Sequence, residues 1–465
     1  MTRESAIARA ERYFDDGPFF ETLARRIAVK TESQEPASRP HLAEYLANEI
    51  APALARLGYR TELFDNPVTW GGPFLVAERI EGTNLPTALT YGHGDVIRGL
   101  DAQWKDNLSP WKLERRGDVV FGRGVADNKG QHTINMAALE CVLAERGALG
   151  FNSKILLETS EEIGSPGLAK FCAAHKERLA ADLLIASDGP RLTPDRATIF
   201  MGSRGAMNFD LTVDLRQGGH HSGNWGGLLA NPGIILANAI ASIVTKAGRV
   251  QVRELVPRAI PNSVREAVAG LEVGGGDDAP AIDPDWGEPG LTPAEKVFAW
   301  NTFEVLAFRT GNPDNPVNAI PPRATAACQI RYTVDTDPNT FISAIRRHLD
   351  KTGFPIVQVK LWEKGFMQAT RLDPTHPWAQ WAIASVERTV GTRPAVLPNL
   401  GGSLPNECFA DILGMPTIWV PHSYAGCSQH APNEHGLVPI LRDGLRIMAG
   451  LFWDLGEKPN VGSRF

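Results

Sequence analysis

The first half of the chain alternates between short apolar runs typical of strands and longer repeats typical of helices. Leucine and isoleucine recur at near-helical spacing over residues 42–57, and apolar residues share one side of residues 131–146, so both stretches predict amphipathic helices. Apolar runs that predict buried strands lie at 88–91, 154–158, 182–186 and 416–420. Strands alternating with helices predict a mostly parallel sheet flanked by helices.

The middle of the chain has a different pattern, in which apolar and polar residues alternate. Such alternation over residues 207–215 and 324–334 predicts half-buried strands with one face toward water. Two helices and a strand complete this group, at 234–244, 341–349 and 356–361. A stretch rich in glycine, aspartate and proline at 274–290 predicts an exposed loop. Together these elements predict a small α+β sandwich.

The predicted fold class is α/β, with a first domain interrupted by this smaller sandwich. The first domain comprises residues 1–202 and 371–465, and the inserted domain residues 203–370. Length agrees with two domains, because 465 residues exceed what a single core usually supports.

Composition narrows the class of protein. A hydrophobic content of 43% and a charged content of 22% are ordinary for a globular protein, and the net charge of −6 argues against nucleic-acid binding. No run of about 18 apolar residues predicts a membrane span, and the first residues lack an apolar signal segment. The five cysteines are odd in number and form no Cys-x-x-Cys pair, as expected for reduced thiols. We therefore expect a cytoplasmic protein that does not insert into membranes.

Histidine and carboxylate side chains follow the predicted strands closely. The candidate metal ligands are His93, Asp127, Glu162, Asp188 and His430. Because ligand sites in such sheets lie beyond the carboxyl ends of the strands, we expect these side chains to meet at one edge. Two imidazoles with three carboxylates suit a pair of divalent ions.

Asp127 is the candidate for a carboxylate shared between the two ions, since a shared carboxylate offsets their repulsion and fixes their spacing. Glycines at 122, 124 and 130 let the backbone approach the ions, and we predict a cis peptide bond between Asp127 and Asn128. The alternative is that Asp127 only caps the helix that begins near Lys129.

The remaining candidates have sequence neighbours that bear on their roles. Asp95 lies two residues after His93 and can accept the second ring proton of that histidine. Glu161 and Glu162 are adjacent, so one can bind metal while the other transfers a proton; the sequence does not order them, and we assign proton transfer to Glu161. His422 and His435 compete with His430 for the ligand role.

Taken together, these motifs resemble the dizinc metallopeptidase family of carnosinases, aminoacylases, glutamate carboxypeptidases and succinyl-diaminopimelate desuccinylases. The segments closest to the carnosinase-like dipeptidase branch are His221-Ser222-Gly223, Asn318-Ala319-Ile320-Pro321 and Gly401-Gly402-Ser403-Leu404-Pro405. The resemblance implies one metal held by His93, Asp127 and Asp188. It implies a second metal held by Asp127, Glu162 and His430, with Glu161 as general base and Asp95 as the partner of the histidine ligand.

The resemblance also implies a homodimer formed through the inserted lid domain, with His221 reaching the active site of the other protomer to stabilise the oxyanion. His220 is an alternative for that role. Arg331 resembles the arginine that holds the free carboxylate of the substrate, and Asn318 and Ser403 resemble further substrate contacts. Three positions depart from the dipeptidase pattern: Asn128, Asn318 and Leu400. These departures lie near predicted substrate contacts. They therefore weaken any inference about substrate specificity from the family, but not the inference about the hydrolytic chemistry.

The expected function is hydrolysis of an amide or peptide bond in a small substrate that bears a free carboxylate. A water molecule activated by two divalent ions would attack the carbonyl, with Glu161 as general base and acid. Zn²⁺ is the first expectation, and Mn²⁺ and Co²⁺ also suit the ligand set. The alternatives are an N-acyl-amino-acid deacylase, a non-catalytic metal-binding or ligand-binding homologue, and a single-metal structural site.

Overall fold

The computed structural model describes residues 1–274, 280–363, 366–457, 459 and 461. The helices are α1 Arg3–Asp15, α2 Pro18–Ala28, α3 Arg39–Glu44, α4 Ala51–Arg56, α5 Lys129–Arg146, α6 Leu168–Ala174, α7 Lys176–Leu179, α8 Ser222–Trp225, α9 Pro232–Ile243, α10 Asn262–Val268, α11 Pro293–Phe298, α12 Phe341–Lys351, α13 Pro377–Val390 and α14 Val438–Leu455. In these described ranges, no helix is long and apolar enough to cross a lipid bilayer.

The strands are β1 Arg60–Phe64, β2 Phe74–Arg79, β3 Thr87–His93, β4 Glu114–Arg116, β5 Val119–Phe121, β6 Asn152–Glu158, β7 Leu183–Ala186, β8 Pro190–Arg191, β9 Thr198–Phe200, β10 Gly202–Ser203, β11 Gly205–Asp214, β12 His220–His221, β13 Thr302–Thr310, β14 Ala319–Ile320, β15 Arg323–Tyr332, β16 Gln358–Leu361, β17 Thr370–Arg371, β18 Ala395–Leu397, β19 Thr417–Trp419, β20 Ser423–Tyr424 and β21 His435–Leu437.

The large sheet has the strand order β1-β2-β6-β3-β7-β19-β9-β18 among the described residues. Its central strands β6, β3, β7 and β19 are mutually parallel. Antiparallel pairs lie further out, where β1 pairs with β2, β2 with β6, and β19 with β9. The sheet is therefore mixed with a parallel centre, and the α/β fold class is confirmed.

The central strands are apolar throughout because both faces of the sheet are covered. In β3, Ala88 packs into the core beneath α1, α5 and α14, whereas Leu89 and Tyr91 pack into a second core on the opposite face. Strands buried on both sides have no polar face, which is why their sequences are continuous apolar runs. The predicted helix at 42–57 is also present: α3 and α4 are joined by a π-helical turn at Tyr45–Ile50.

The smaller sheet is antiparallel, in the order β13-β15-β11-β16. Helices α9 and α12 share its core, in which Leu236 and Ile345 accompany Phe209 and Ile330. This is the predicted α+β sandwich, to which the structure adds β13 as an edge strand. At its junction with the first domain, β10 pairs with β17, so the chain leaves and returns side by side. The domain boundaries at 202 and 371 stay a prediction.

The segment between α9 and β13 contacts the large sheet. Val268 of α10 and Phe298 of α11 belong to the same core as Phe200 and Leu397. In the loop predicted at 274–290, residues 275–279 lie outside the described residues, and residues 280–290 carry no helix or strand. Part of the predicted inserted range therefore packs against the first domain.

Candidate metal centre and active site

The carboxyl edge of the parallel strands brings the candidate ligands together. His93 is the last residue of β3, and Asp188 lies two residues beyond the end of β7. After β6, a short 3₁₀ turn at Glu161–Ile163 carries both glutamates. His430 lies further along the chain after β19, in the loop between β20 and β21. Parallel strands end at the same edge of a sheet, so residues far apart in sequence converge there.

Asp127 lies at the centre of this group, in the loop that connects β5 to α5. The peptide bond between Asp127 and Asn128 is cis, as predicted. Asn128, not Asp127, occupies the N-cap position of α5, and its side chain makes no capping hydrogen bond. The Asp127 carboxylate instead contacts the two candidate histidine ligands, so the helix-cap alternative is wrong.

Two groups of potential ligand atoms share Asp127. On one side, His93 Nε2 lies 2.9 Å from Asp127 Oδ1 and 3.6 Å from Asp188 Oδ2. On the other side, His430 Nε2 lies 3.0 Å from Asp127 Oδ2 and 2.9 Å from Glu162 Oε2. Within each group the potential ligand atoms all lie within 4.8 Å of one another. Each group offers one imidazole and two carboxylates, and the two groups are joined through a single side chain.

The donor set fits divalent cations. Asp188 is buried, yet its Oδ2 atom accepts no hydrogen bond from any described residue. A buried acceptor without a partner is rare in folded proteins, and a cation at this position would satisfy it. Imidazole and carboxylate are also the ligands that Zn²⁺ takes from proteins.

Close packing of these groups shifts their pKa values. Hydrogen bonds to Asp127 and Glu162 raise the pKa of His430 to about 10. Burial opposes protonation of His93, but hydrogen bonds to Asp127 and Asp95 hold its pKa well above the usual value. Burial raises the pKa of Glu162 to about 7 and raises that of Glu161 well above its usual range. The centre is therefore a dense group of titratable side chains that shift one another's pKa values.

Asp95 contacts both parts of the site. Its backbone oxygen lies 3.1 Å from His93 Nδ1 and its Oδ1 atom 3.4 Å from the same nitrogen. Its two carboxylate oxygens also accept hydrogen bonds from the backbone N–H groups of Glu161 and Glu162, both at 3.1 Å. The backbone oxygen of Asp95 is therefore the closer acceptor for His93 Nδ1, while its carboxylate holds the turn that carries the glutamates. The predicted role of that carboxylate as the partner of His93 stays a prediction.

The other two histidines of the C-terminal region have different partners. His422 is buried with Nε2 3.0 Å from Ser187 Oγ, and His435 Nε2 lies 2.7 Å from Tyr424 Oη. Gln429, which no predicted role covered, donates a hydrogen bond from Nε2 to Asp127 Oδ2. Its only signal in the sequence is its position next to His430.

The remaining candidates lie in two pairs. His221 of β12 and Asn318, which directly precedes β14, are exposed neighbours, and Ser222 N donates to Asn318 O. Arg331 Nη1 donates to Ser403 Oγ at 2.8 Å, which joins the small sheet to the loop after β18. Within the described part of one protomer, neither pair makes a hydrogen bond or ion pair with the five ligand candidates.

Comparison with protein families gives one match over most of the chain. Residues 89–454 match the family described as peptidase family M20/M25/M40. Two curated relatives are a cysteinylglycine-S-conjugate dipeptidase from Corynebacterium striatum and a beta-Ala-His dipeptidase from Homo sapiens. The first is 24% identical over 408 residues, covering 84% of this chain and 86% of the relative. The second is 24% identical over 478 residues, covering 94% and 90%.

Solved structures show the same fold. An M20 family metallo-carboxypeptidase from Sulfolobus solfataricus superposes with a TM-score of 0.77 at 24% identity, covering 94% of this chain and 99% of that one. Human carnosine dipeptidase 1 superposes with a TM-score of 0.76 at 20% identity, covering 97% and 99%.

Proposed function

The chain belongs to peptidase family M20/M25/M40, and we propose that it is a dipeptidase with two divalent ions, acting on substrates with a free carboxylate. It is a metal-dependent hydrolase of peptide bonds. The observation that supports two ions is the sharing of Asp127 between two sets of potential ligands. A shared carboxylate is the usual device for holding two cations close together.

The proposed ligand groups are His93, Asp127 and Asp188 for one ion, and Asp127, Glu162 and His430 for the other. Bound ions would polarise the substrate carbonyl and lower the pKa of a water molecule. We propose Zn²⁺ as the native metal, with Mn²⁺ and Co²⁺ as alternatives that suit the same oxygen-rich set.

Glu161 is proposed as the general base and acid. Asp95 holds the backbone of Glu161 and Glu162 together, while the Glu162 side chain contacts His430. The Glu161 side chain makes no ion pair with a described residue, so it is available to take a proton from the attacking water molecule. The same carboxyl group would then give that proton to the leaving amine.

Arg331 is proposed to hold the carboxylate of the substrate. It is partly buried, its described partners are the neutral groups of Gln329 and Ser403, and it forms no ion pair in the described part of the chain. A guanidinium without an acidic partner suits bidentate binding of a carboxylate. Ser403 and Asn318 are proposed as further substrate contacts. The two dipeptidase relatives favour a dipeptide as the substrate class.

We also propose a homodimer in which His221 completes the active site of the partner protomer. Strand β13 is an edge of the small sheet and exposes Val305, Leu306 and Phe308 at 43%, 53% and 42% of their surface. An exposed apolar edge strand is a site for association with another chain. His221 lies on the same inserted region and is exposed.

A cytoplasmic location is proposed because the cysteines are free and buried.

The experiment that tests this function compares three substrate types with the zinc-loaded protein. Dipeptides, N-acyl amino acids and dipeptides with an amidated C-terminus are incubated in parallel, and the products are identified by mass spectrometry. Cleavage of dipeptides with a free carboxylate, and much slower cleavage of the other two types, is the expected result. Preferential cleavage of N-acyl amino acids would instead assign the protein as a deacylase.

A further inference from the structure

The buried carboxylate of Glu434 accepts an unusual number of hydrogen bonds from the loop that carries Asp127. Its Oε1 atom accepts backbone N–H groups from Gly124 at 3.0 Å, Ala126 at 2.9 Å and Asp127 at 3.2 Å. Its Oε2 atom accepts from Arg123 Nη1 at 2.8 Å, and both side chains of this ion pair are only 1% exposed. A single side chain therefore fixes three backbone groups of one short loop.

The pairing of β21 with β5 places Glu434 beside the loop that carries Asp127. Strand β21 begins at His435 and pairs with β5, which ends one residue before Gly122. The backbone N–H of Gly122 donates to Glu434 O at 3.1 Å, so the pairing continues into the loop. Gly124 has a φ of +92°, a conformation that favours glycine and turns the following N–H groups toward the carboxylate.

Glu434 also belongs to the loop that carries His430, four residues earlier in the chain. The two loops meet where His430 Nε2 lies 3.0 Å from Asp127 Oδ2. A tether between the two loops therefore constrains the distance between two proposed ligands. Glu434 forms such a tether. Its backbone belongs to the loop that carries His430, and its side-chain carboxylate accepts a hydrogen bond from the backbone N–H of Asp127.

We propose that Glu434 is a positioning residue that holds Asp127 and His430 at the spacing required by two divalent cations. This proposal rests on the proposed role of Asp127 as a shared ligand. Groups that orient metal ligands without touching the metal typically alter metal affinity or activity by about 10- to 100-fold when they are removed. Arg123 neutralises the Glu434 carboxylate, which lets a charged acceptor occupy a buried position so close to other carboxylates.

Metal binding to the apo-protein provides a test that does not depend on a substrate. Glu434→Gln keeps the size of the side chain but places an amide N–H₂ against either Arg123 or the loop N–H groups. We expect about a 10- to 100-fold weaker affinity for Zn²⁺ in titrations of the apo-protein monitored by calorimetry. Wild-type affinity in the folded variant would overturn the proposal.

Asp454→Asn is the matched control, because it also breaks a buried ion pair. Asp454 Oδ1 lies 2.9 Å from Arg3 Nε, and both side chains are at least nine-tenths buried, but the pair joins α14 to α1. This variant should lose thermal stability and keep wild-type Zn²⁺ affinity. Equal loss of affinity in Asp454→Asn and Glu434→Gln would mean that general destabilisation explains the effect, and would overturn the proposal.

Glu434→Asp provides a second variant if Glu434→Gln does not fold, with circular dichroism to establish folding. It keeps the negative charge beside Arg123 but is too short to reach all three N–H groups. Weaker Zn²⁺ affinity in this folded variant supports positioning by hydrogen bonds, and unchanged affinity contradicts it. Loss of dipeptidase activity with unchanged affinity would contradict this proposal and leave the proposed function standing.

Discussion

His93 and His430, which are separated by more than 300 residues of sequence, contact different oxygens of the same carboxylate. Their Nε2 atoms lie 2.9 Å and 3.0 Å from Oδ1 and Oδ2 of Asp127. Each histidine also faces one further carboxylate, Asp188 for His93 and Glu162 for His430. Because Asp127 is shared between the two groups, substitutions at these residues should differ in how many metal ions the protein retains.

Asp127→Ala should abolish tight binding of both ions, whereas Asp188→Ala should abolish only one. The reason is that Asp127 belongs to both ligand groups and Asp188 to one. Metal analysis after dialysis against limiting Zn²⁺ would measure the ions retained per chain. Asp195→Ala, at an exposed aspartate outside these groups, is the control and should retain both. Retention of two ions by Asp127→Ala would contradict the shared-ligand assignment.

The adjacent glutamates should respond differently to the same substitution. Glu161→Gln should keep both ions and lower kcat by at least about 100-fold, because an amide cannot accept the proton of the attacking water molecule. Glu162→Gln should lose metal, because its carboxylate lies 2.9 Å from His430 and belongs to a ligand group. Each variant is the control for the other. The assignment of Glu161 fails if its variant is depleted of metal or keeps substantial turnover.

The sequence predicted the four central strands of the eight-stranded sheet, because parallel strands buried on both faces are continuous apolar runs. It also predicted the ligand candidates, since His93 ends such a strand and Asp188 closely follows another. Strand β13 could not be predicted in this way, because Val305, Leu306 and Phe308 are apolar yet exposed and show no alternation. The contacts of Gln429 and Glu434 depend on loop conformation, which periodicity does not encode.

Arg331→Met should raise KM by about 10- to 100-fold for dipeptides with a free carboxylate, through loss of charged hydrogen bonds. The effect on kcat should be small if the arginine binds substrate and transition state equally. A dipeptide amide should show little difference between the variant and the wild type. Arg323→Met, at an exposed arginine on the same strand β15, is the control. An equal loss for the acid and the amide would contradict carboxylate binding.

Active sites shared between protomers predict complementation between two inactive variants. Protomers with His221→Ala and protomers with Glu161→Gln should each be inactive as homodimers. In a mixed dimer, one of the two sites combines an intact Glu161 with an intact His221 from the partner protomer. Random mixing at equal amounts should therefore restore about a quarter of wild-type activity. The absence of recovery in a mixed dimer, identified by two affinity tags, would exclude a shared site.

Glu407 should make the stability of the protein depend on pH independently of the metal centre. Burial raises its pKa to about 7, and its Oε2 atom has no hydrogen-bond partner among the described residues. Between about pH 4.5 and 7 the unfolded chain has released this proton while the folded chain retains it. The free energy of unfolding therefore falls as pH rises through this window, by at most about 3 kcal/mol, and stays reduced above it.

Glu407→Gln removes this ionisation, so the variant should be more stable than the wild type at pH 8 and should lose that advantage near pH 4.5. Urea unfolding at several pH values in the presence of saturating Zn²⁺ measures the difference. Glu266→Gln is the control for loss of one charge at an exposed position. A difference in unfolding free energy that is the same at all pH values would reflect packing of the amide. The ionisation of Glu407 is therefore measured by how that difference changes between pH 4.5 and 8. A variant whose unfolding free energy runs parallel to the wild type across this range would show that Glu407 ionises equally in both states.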